Sequence, residues 1–173
     1  MIAIGDKAPT FTLPDTSGAE VAFPEGPAGV VVFTCNHCPY ALAWHERLLA
    51  VASDYADRGV RMVLVNPNDA DRYPRDSIDA MRRRVDGEAP WPAPYLRDEA
   101  QEAARAYDAK TTPDVFVFDG DGILRYRGAP DADHMDDAQN AAWLRAALDA
   151  VLDGRDVGQA ETTPVGCSIK WKA

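Results

Sequence analysis

Two cysteines stand three residues apart where an apolar strand meets a helix, and this junction constrains the fold more than any other feature of the sequence. Residues 29–34 form a β-branched apolar run that is typical of a strand covered on both faces. Residues 40–58 repeat apolar side chains at steps of three and four, which predicts an amphipathic helix. Residues 60–66 form a second apolar run. The pattern therefore predicts a β-α-β unit with Cys35 and Cys38 at the turn into its helix.

The rest of the chain predicts an α/β architecture around this unit. Extra N-terminal strands, a hairpin and further helices would complete a central mixed β-sheet of about five strands with helices on both faces. We interpret residues 1–155 as one domain and residues 156–173 as a C-terminal tail that carries Cys167. Asp98 and Gln101 match a capping box. The predicted elements are strands at Phe11–Leu13 and Val21–Phe23, helices at 77–85, 99–107 and 140–152, and a hairpin of residues 115–118 and 123–127.

The composition is that of an ordinary globular domain with an acidic surface. Hydrophobic residues make up 46% of the 173 residues and charged residues 27%, which argues against disorder. The formal net charge of −10 argues against a nucleic-acid partner and against docking on an anionic membrane. No apolar run approaches the roughly 20 residues that span a bilayer, and the N-terminus lacks a signal-peptide pattern. We therefore expect a cytoplasmic protein; its oligomeric state is not predicted.

The cysteine spacing predicts a redox-active pair. It brings the two sulfurs within disulfide reach across the first helical turn, where unpaired N–H groups and the helix dipole lower the pKa of a thiol. We expect Cys35 to be the exposed nucleophile and Cys38 to be the resolving thiol. His37 should stabilise the thiolate of Cys35 by a hydrogen bond or by its charge. Pro39 suits the first turn, where its missing N–H costs little.

Other roles for these side chains stay open. Cys35, His37 and Cys38, joined by Cys167, would offer soft ligands to copper or zinc. No second Cys-x-x-Cys pair is present, so no particular metal site is predicted. Cys167 itself would act as a third thiol at the active site, cross-link to a partner, or pack as an ordinary tail residue. Dithiol–disulfide chemistry needs no organic cofactor, and none is expected.

Several segments carry a resemblance to a known family. They are residues 5–15, residues 66–77, Thr112–Asp114, residues 165–172 and the Cys-Asn-His-Cys-Pro motif at 35–39. They resemble the AhpC/TSA, or redoxin, family of the thioredoxin superfamily, and within it a peroxiredoxin-like subgroup with this motif. The similarity covers nearly the whole chain. It implies a thioredoxin-like fold, an α/β architecture that agrees with the mixed sheet predicted above.

The resemblance also implies a substrate groove. Thr112-Pro113 matches the cis-proline turn of the superfamily, which faces the cysteines. The backbone of Thr112 would pair there with an extended substrate like an added strand. Together with Pro39, these residues would shape the groove.

The same resemblance raises the question of peroxidase chemistry. In peroxiredoxins a proline follows the peroxidatic cysteine, as Pro39 follows Cys38, and a threonine stands three residues before it, where this chain has Cys35. The resemblance therefore favours a thiol–disulfide oxidoreductase that acts on protein or small-molecule thiols and disulfides. The alternatives are a thiol peroxidase that uses Cys38 to reduce peroxides, and a non-enzymatic protein that binds copper or zinc.

Overall fold

The computed structural model describes residues 1–23 and 26–173, and its elements follow the predicted order closely. Two short 3₁₀ turns, at Pro74–Asp76 and Asp137–Gln139, lie in the loops between these elements. The strands are β1 (Phe11–Pro14), β2 (Glu20–Phe23), β3 (Ala28–Phe33), β4 (Val60–Asn66), β5 (Tyr95–Arg97), β6 (Thr111–Thr112), β7 (Asp114–Asp119), β8 (Leu124–Gly128) and β9 (Cys167–Ser168), and the helices are α1 (Pro39–Ala56), α2 (Ile78–Gly87), α3 (Glu102–Ala106) and α4 (Ala142–Leu152).

A mixed five-stranded sheet lies at the centre, in the order β5-β4-β3-β7-β8. The middle strand, β3, runs parallel to β4 and antiparallel to β7. β5 continues the parallel part at one edge, and β8 completes the β7–β8 hairpin at the other. Two small sheets, β1-β2 and β6-β9, lie outside it. The predicted mixed sheet with extra N-terminal strands is confirmed.

Both faces of the sheet are covered, as the apolar run of β3 predicted. Val30 and Val32 belong to a core shared with α1 and α4, whereas Val31 and Phe33 belong to a second core shared with α3 and the β1-β2 hairpin. Successive residues of a strand point to opposite faces, so a strand between two cores is apolar throughout. This is the α/β arrangement of a thioredoxin-like fold. Within the described residues, no helix has both the length and the apolar character to cross a membrane.

The capping box predicted at Asp98 is wrong. The predicted helix 99–107 shortens to α3, and Gln101 adopts a left-handed conformation with φ 61° instead of a helical one. The Gln101 side chain donates to the Lys170 carbonyl (2.9 Å), while Asp98 accepts from the backbone of Ala104 (2.9 Å). Gln101 therefore holds the C-terminal tail, and this long-range contact overrides the local pattern.

Asp114, at the start of β7, should make the stability of the fold depend on pH. Its side chain is fully buried, and burial raises its pKa to about 7 from an ordinary value of 3.8. One oxygen accepts from the backbone of Lys110 (2.9 Å), and the other has no partner among the described residues. Between these pKa values the folded chain holds a proton that the unfolded chain has released. The free energy of unfolding should therefore fall as the pH rises from about 4 to about 7, by at most about 1.4 kcal/mol per pH unit.

Urea unfolding at several pH values across this range tests the prediction. Asp114→Asn, which cannot ionise, should flatten the slope, whereas Asp121→Asn, at an exposed turn, should leave it unchanged. An undiminished slope in Asp114→Asn would show that another group causes the pH dependence.

Candidate active site

The cysteine pair lies at the junction between β3 and α1, as predicted. Cys38 is the N-cap residue of α1, and Pro39 follows it at the exposed start of the helix. Cys35 and Cys38 are each 1% exposed, and both are free thiols. The expectation that Cys35 is exposed is therefore wrong. Its sulfur is covered because two segments distant in sequence, β6 and the C-terminal tail, pack over this turn.

The first covering segment is the turn at Thr112-Pro113, whose peptide bond is cis, as the resemblance implied. The Thr112 hydroxyl oxygen lies 3.2 Å from the sulfur of Cys35, and the Thr112 carbonyl oxygen lies 3.1 Å from the sulfur of Cys38. One residue therefore contacts both thiols of the pair.

The second covering segment is the tail strand, β9, which pairs antiparallel with β6 so that Cys167 stands opposite Thr112. This is the edge at which sequence analysis placed an incoming substrate strand. The predicted groove at Thr112 is therefore filled by the chain's own tail in this structure. Cys167 packs against the cluster formed by Cys35, Cys38 and Ala41, so all three cysteines of the chain lie in one part of the fold.

Replacing Gly166 should detach the tail strand. A Cβ atom at Gly166 would lie 2.2 Å from the carbonyl oxygen of Thr112, where backbone cannot give way easily. In Gly166→Ala we expect β9 to leave β6 and the buried thiols to react with a disulfide reagent roughly tenfold faster, because local opening governs their access. Gly158→Ala is the matched control, since its Cβ would meet nothing within 4 Å. Equal thiol reaction rates in the two variants would contradict the tail's covering role.

The three thiols differ in their tendency to ionise. The pKa of Cys38 is lowered to about 4, first because the Cys35 thiol donates to it, although burial opposes this shift. The Cys167 thiol and the backbone N–H of Ala41 contribute to the same lowering. The Thr112 carbonyl favours the protonated form of the same sulfur, but a single acceptor is outweighed by these donors. The pKa of Cys35 is raised, first because its thiol donates to Cys38, and then because it is buried and lies near the Asp76 carboxylate.

Cys167 behaves like Cys35. Burial, and then its hydrogen bond to Cys38, raise the pKa of Cys167 to about 11. Since Cys35 and Cys167 have raised pKa values, the negative charge of the cluster lies on Cys38, at the positive end of α1. A thiolate at this position is the form that attacks disulfides and peroxides.

The ring of His37 does not make the predicted hydrogen bond to Cys35. Its Nδ1 lies 2.7 Å from a carboxylate oxygen of Asp76, without the geometry of a hydrogen bond, and the ring stacks on Tyr73 with centroids 6.0 Å apart. The part of His37 that lowers the pKa of Cys35 is its backbone, which forms a hydrogen bond to that sulfur.

Asp76 organises the loop that carries the cysteines, and sequence analysis missed it. The carboxylate is fully buried and accepts from the backbone N–H of Asn36 (2.8 Å). It also accepts from the side-chain amides of Asn66 (3.1 Å), the last residue of β4, and of Asn68 (3.0 Å), two residues beyond it. The polar composition of residues 66–77 was the available signal, but it does not distinguish a buried carboxylate from an exposed one.

Arg84 holds the same loop from α2. Its guanidinium donates to the backbone carbonyl of Cys35 (3.3 Å) and to the side-chain oxygen of Asn36 (3.1 Å). Tyr95, in β5, donates to that same Asn36 oxygen (2.7 Å). The backbone on the Cys35 side of the motif is therefore fixed by contacts from three elements.

The structure also shows which side chains could approach a metal ion together. Cys35, His37 and Asp76 offer one donor atom each, all within 4.8 Å of one another. Cys38 and Cys167, which sequence analysis included in such a set, do not belong to this group, and Asp76 takes their place. The third donor of the group is a carboxylate oxygen, so the group differs from the soft ligands that sequence analysis considered.

Comparison with known proteins places this site in a family. The model of the AhpC/TSA family matches residues 4–127, which include Cys35, Cys38 and the Thr112-Pro113 turn. No curated protein matches the chain.

Solved structures share the fold over nearly the whole chain. An uncharacterized conserved protein from Geobacillus kaustophilus is 40% identical, with a TM-score of 0.92, over 99% of this chain and 94% of that one. A hypothetical protein from Sinorhizobium meliloti is 38% identical, with a TM-score of 0.93, over 100% and 97% of the two chains. A peroxidoxin from Mycobacterium tuberculosis is 18% identical, with a TM-score of 0.66, over 87% and 99%, and shows the fold alone. The chain belongs to the AhpC/TSA family and is a redox protein of thioredoxin-like fold.

Proposed function

We propose that the chain is a thiol–disulfide oxidoreductase whose redox pair is Cys35 and Cys38. The observation that carries the proposal is the contact of two buried thiols at the start of α1 beside the cis Thr112-Pro113 turn. A charged thiolate and a protonated neighbour in one cluster are what disulfide exchange requires.

The protonation of the cluster supports an order of attack opposite to the one expected from the sequence. The thiolate of Cys38 attacks one sulfur of a substrate disulfide, forms a mixed disulfide, and releases the other substrate half as a thiolate. Cys35 gives up its proton to that leaving group and attacks the Cys38 sulfur, which releases the second substrate thiol. Two electrons pass to the substrate, and the chain is left with a Cys35–Cys38 disulfide.

The substrate class follows from the burial of the pair. Since each cysteine of the pair is 1% exposed, a bulky disulfide can reach Cys38 only when β9 leaves Thr112, whereas a small disulfide needs a smaller opening. Small-molecule disulfides should therefore react faster than protein disulfides as long as the tail is docked.

A turnover assay tests this function. Reduction of hydroxyethyl disulfide and of insulin by dithiothreitol would be measured with wild-type protein and with Cys35→Ser and Cys38→Ser. The proposal expects catalysis by the wild type, faster with the small disulfide, its loss in Cys38→Ser, and slower turnover in Cys35→Ser, which lacks the resolving thiol of the pair. No catalysis by fully reduced, metal-free wild-type protein would contradict it, and copper or zinc that survives a chelator wash would favour metal binding.

Thiol peroxidase activity is a second candidate, favoured by one observation. Cys38 is both the thiol with the lowered pKa and the cysteine that precedes Pro39, as in a peroxidatic motif. Peroxide consumption that is rapid in the wild type, persists in Cys35→Ser and disappears in Cys38→Ser would favour this function. Slow peroxide consumption beside efficient disulfide turnover would favour exchange.

A further inference from the structure

Cys38 is the one thiol of the cluster that both other cysteines contact. Cys35 and Cys38 share one buried cluster, and Cys167 packs against that cluster from β9. Both other thiols lower the pKa of Cys38. Thiol–disulfide exchange needs an attacking thiol, a central sulfur and a leaving thiol. The cluster supplies these three groups within one chain.

The thiols also differ in exposure, in an order that suggests a route. Cys35 and Cys38 are almost completely buried, whereas Cys167 is partly exposed. An external thiol that approaches the cluster therefore meets Cys167 first.

The tail that carries Cys167 is held in place on both sides of this residue. Before it, Gly166 lies so close to the Thr112 carbonyl that no larger residue would fit. After it, Ile169 is 3% exposed, and the backbone of Lys170 donates to Asn68 (2.9 Å) and accepts from Asp69 (2.8 Å). These contacts fix the register that sets Cys167 opposite Thr112.

We propose that Cys167 is a third redox thiol, which exchanges a disulfide with Cys38 inside the chain and so connects the buried pair to external thiols. The inference rests on the proposed function, because it assigns the route by which the Cys35–Cys38 disulfide is reduced again. β9 thus pairs with β6 where a substrate strand would pair, and Cys167 takes the place of a substrate thiol within the same chain.

The exchange is balanced without an outside oxidant. The Cys167 thiol loses its proton and attacks the Cys38 sulfur of the Cys35–Cys38 disulfide. The bond to Cys35 breaks, Cys35 leaves as a thiolate, and it takes up the proton. An external thiolate, such as that of glutathione, then attacks the Cys167 sulfur and displaces Cys38. A second external thiol releases Cys167, so two external thiols become one disulfide and the chain regains three thiols.

The pKa order supports this direction of the second step. A thiol of low pKa is the better leaving group, and Cys38 has the lowest pKa of the three. The attacked sulfur is also the most exposed of the cluster.

The first test replaces Cys35 and measures whether Cys38 and Cys167 form a disulfide with each other. Cys35→Ser would be treated with 5,5′-dithiobis(2-nitrobenzoate), and the product analysed by mass spectrometry of the intact chain and of its peptides. The inference expects two reagent thiolates released per chain, no retained adduct, and a Cys38–Cys167 disulfide formed at a rate independent of protein concentration. Stable adducts on Cys38 and Cys167, with no disulfide between them, would overturn it.

The second test measures the reduction of oxidised protein by glutathione. Cys167→Ser should be reduced about tenfold more slowly than the wild type, because the buried disulfide loses its accessible sulfur. Ser168→Ala, at the exposed next residue of β9, is the matched control and should behave like the wild type. Equal rates in wild type and Cys167→Ser would overturn the inference and leave the proposed function standing. A wild type that forms no Cys35–Cys38 disulfide would contradict both.

Discussion

Replacing Cys38 with serine should reduce disulfide-exchange activity by about 10³-fold or more, since the attacking thiolate is removed and no other thiol of the cluster is ionised at neutral pH. The same variant should lose the thiolate that titrates with a pKa of about 4. The ultraviolet absorbance of thiolate, followed against pH, reports that group directly. In the wild type it should already be present at pH 6, where an ordinary thiol with a pKa of about 8.5 is almost fully protonated.

Cys35→Ser separates the two roles. It should retain the first attack, so that Cys38 still reacts with a small disulfide reagent and releases a reagent thiolate, although the Cys35–Cys38 disulfide can no longer form. A Cys38→Ser variant that still releases reagent thiolate at pH 6, while Cys35→Ser releases none, would show that Cys35 is the attacking thiolate.

Replacing Asp76 with alanine should destabilise the fold and disable the redox pair together. The buried carboxylate accepts from Asn36, Asn66 and Asn68, and its removal leaves these three donors without their acceptor. Each unsatisfied donor costs about 1–3 kcal/mol, so we expect a loss of at least about 3 kcal/mol in the free energy of unfolding. The loop that carries Cys35 would also lose its anchor, and exchange activity should fall even where the variant remains folded.

Two companion variants make the Asp76 test specific. Asp79→Ala removes an exposed carboxylate nearby that pairs with Arg82 at the surface, and should change stability little. Asp76→Asn keeps one acceptor oxygen and should recover part of the lost stability. The measurement is urea unfolding of all three variants beside the wild type. Equal stability of Asp76→Ala and Asp79→Ala would mean that the buried network does not hold the loop.

Much of the fold could be predicted because it is encoded locally. The strand Val60–Asn66 has the predicted bounds, and the bounds of α1 lie within two residues of those expected. Strong periodicity and a glycine stop define such elements without help from distant parts of the chain. The helix predicted at 99–107 failed for the opposite reason, because Gln101 binds the backbone of Lys170, 69 positions further along the chain.

The site divides in the same way. The cysteine pair could be predicted from its spacing, and the cis turn at Thr112-Pro113 from the resemblance to the family. The pairing of Cys167 with Thr112 was not, because a two-residue strand carries no periodic signal. The role of Asp76 was also hidden, since a buried acid within a polar segment looks like a solvated one until its partners are known.

The most direct test of the central claim is the reduction potential of the Cys35–Cys38 pair. The protein would be equilibrated with mixtures of reduced and oxidised glutathione, its free thiols trapped, and each cysteine assigned by peptide mass spectrometry. The account predicts a reversible disulfide that includes Cys38, with one defined midpoint potential that is retained in Cys167→Ser. Failure to form any reversible disulfide at Cys38, with progressive oxidation of that thiol to sulfenic acid instead, would contradict disulfide exchange as the function of this chain.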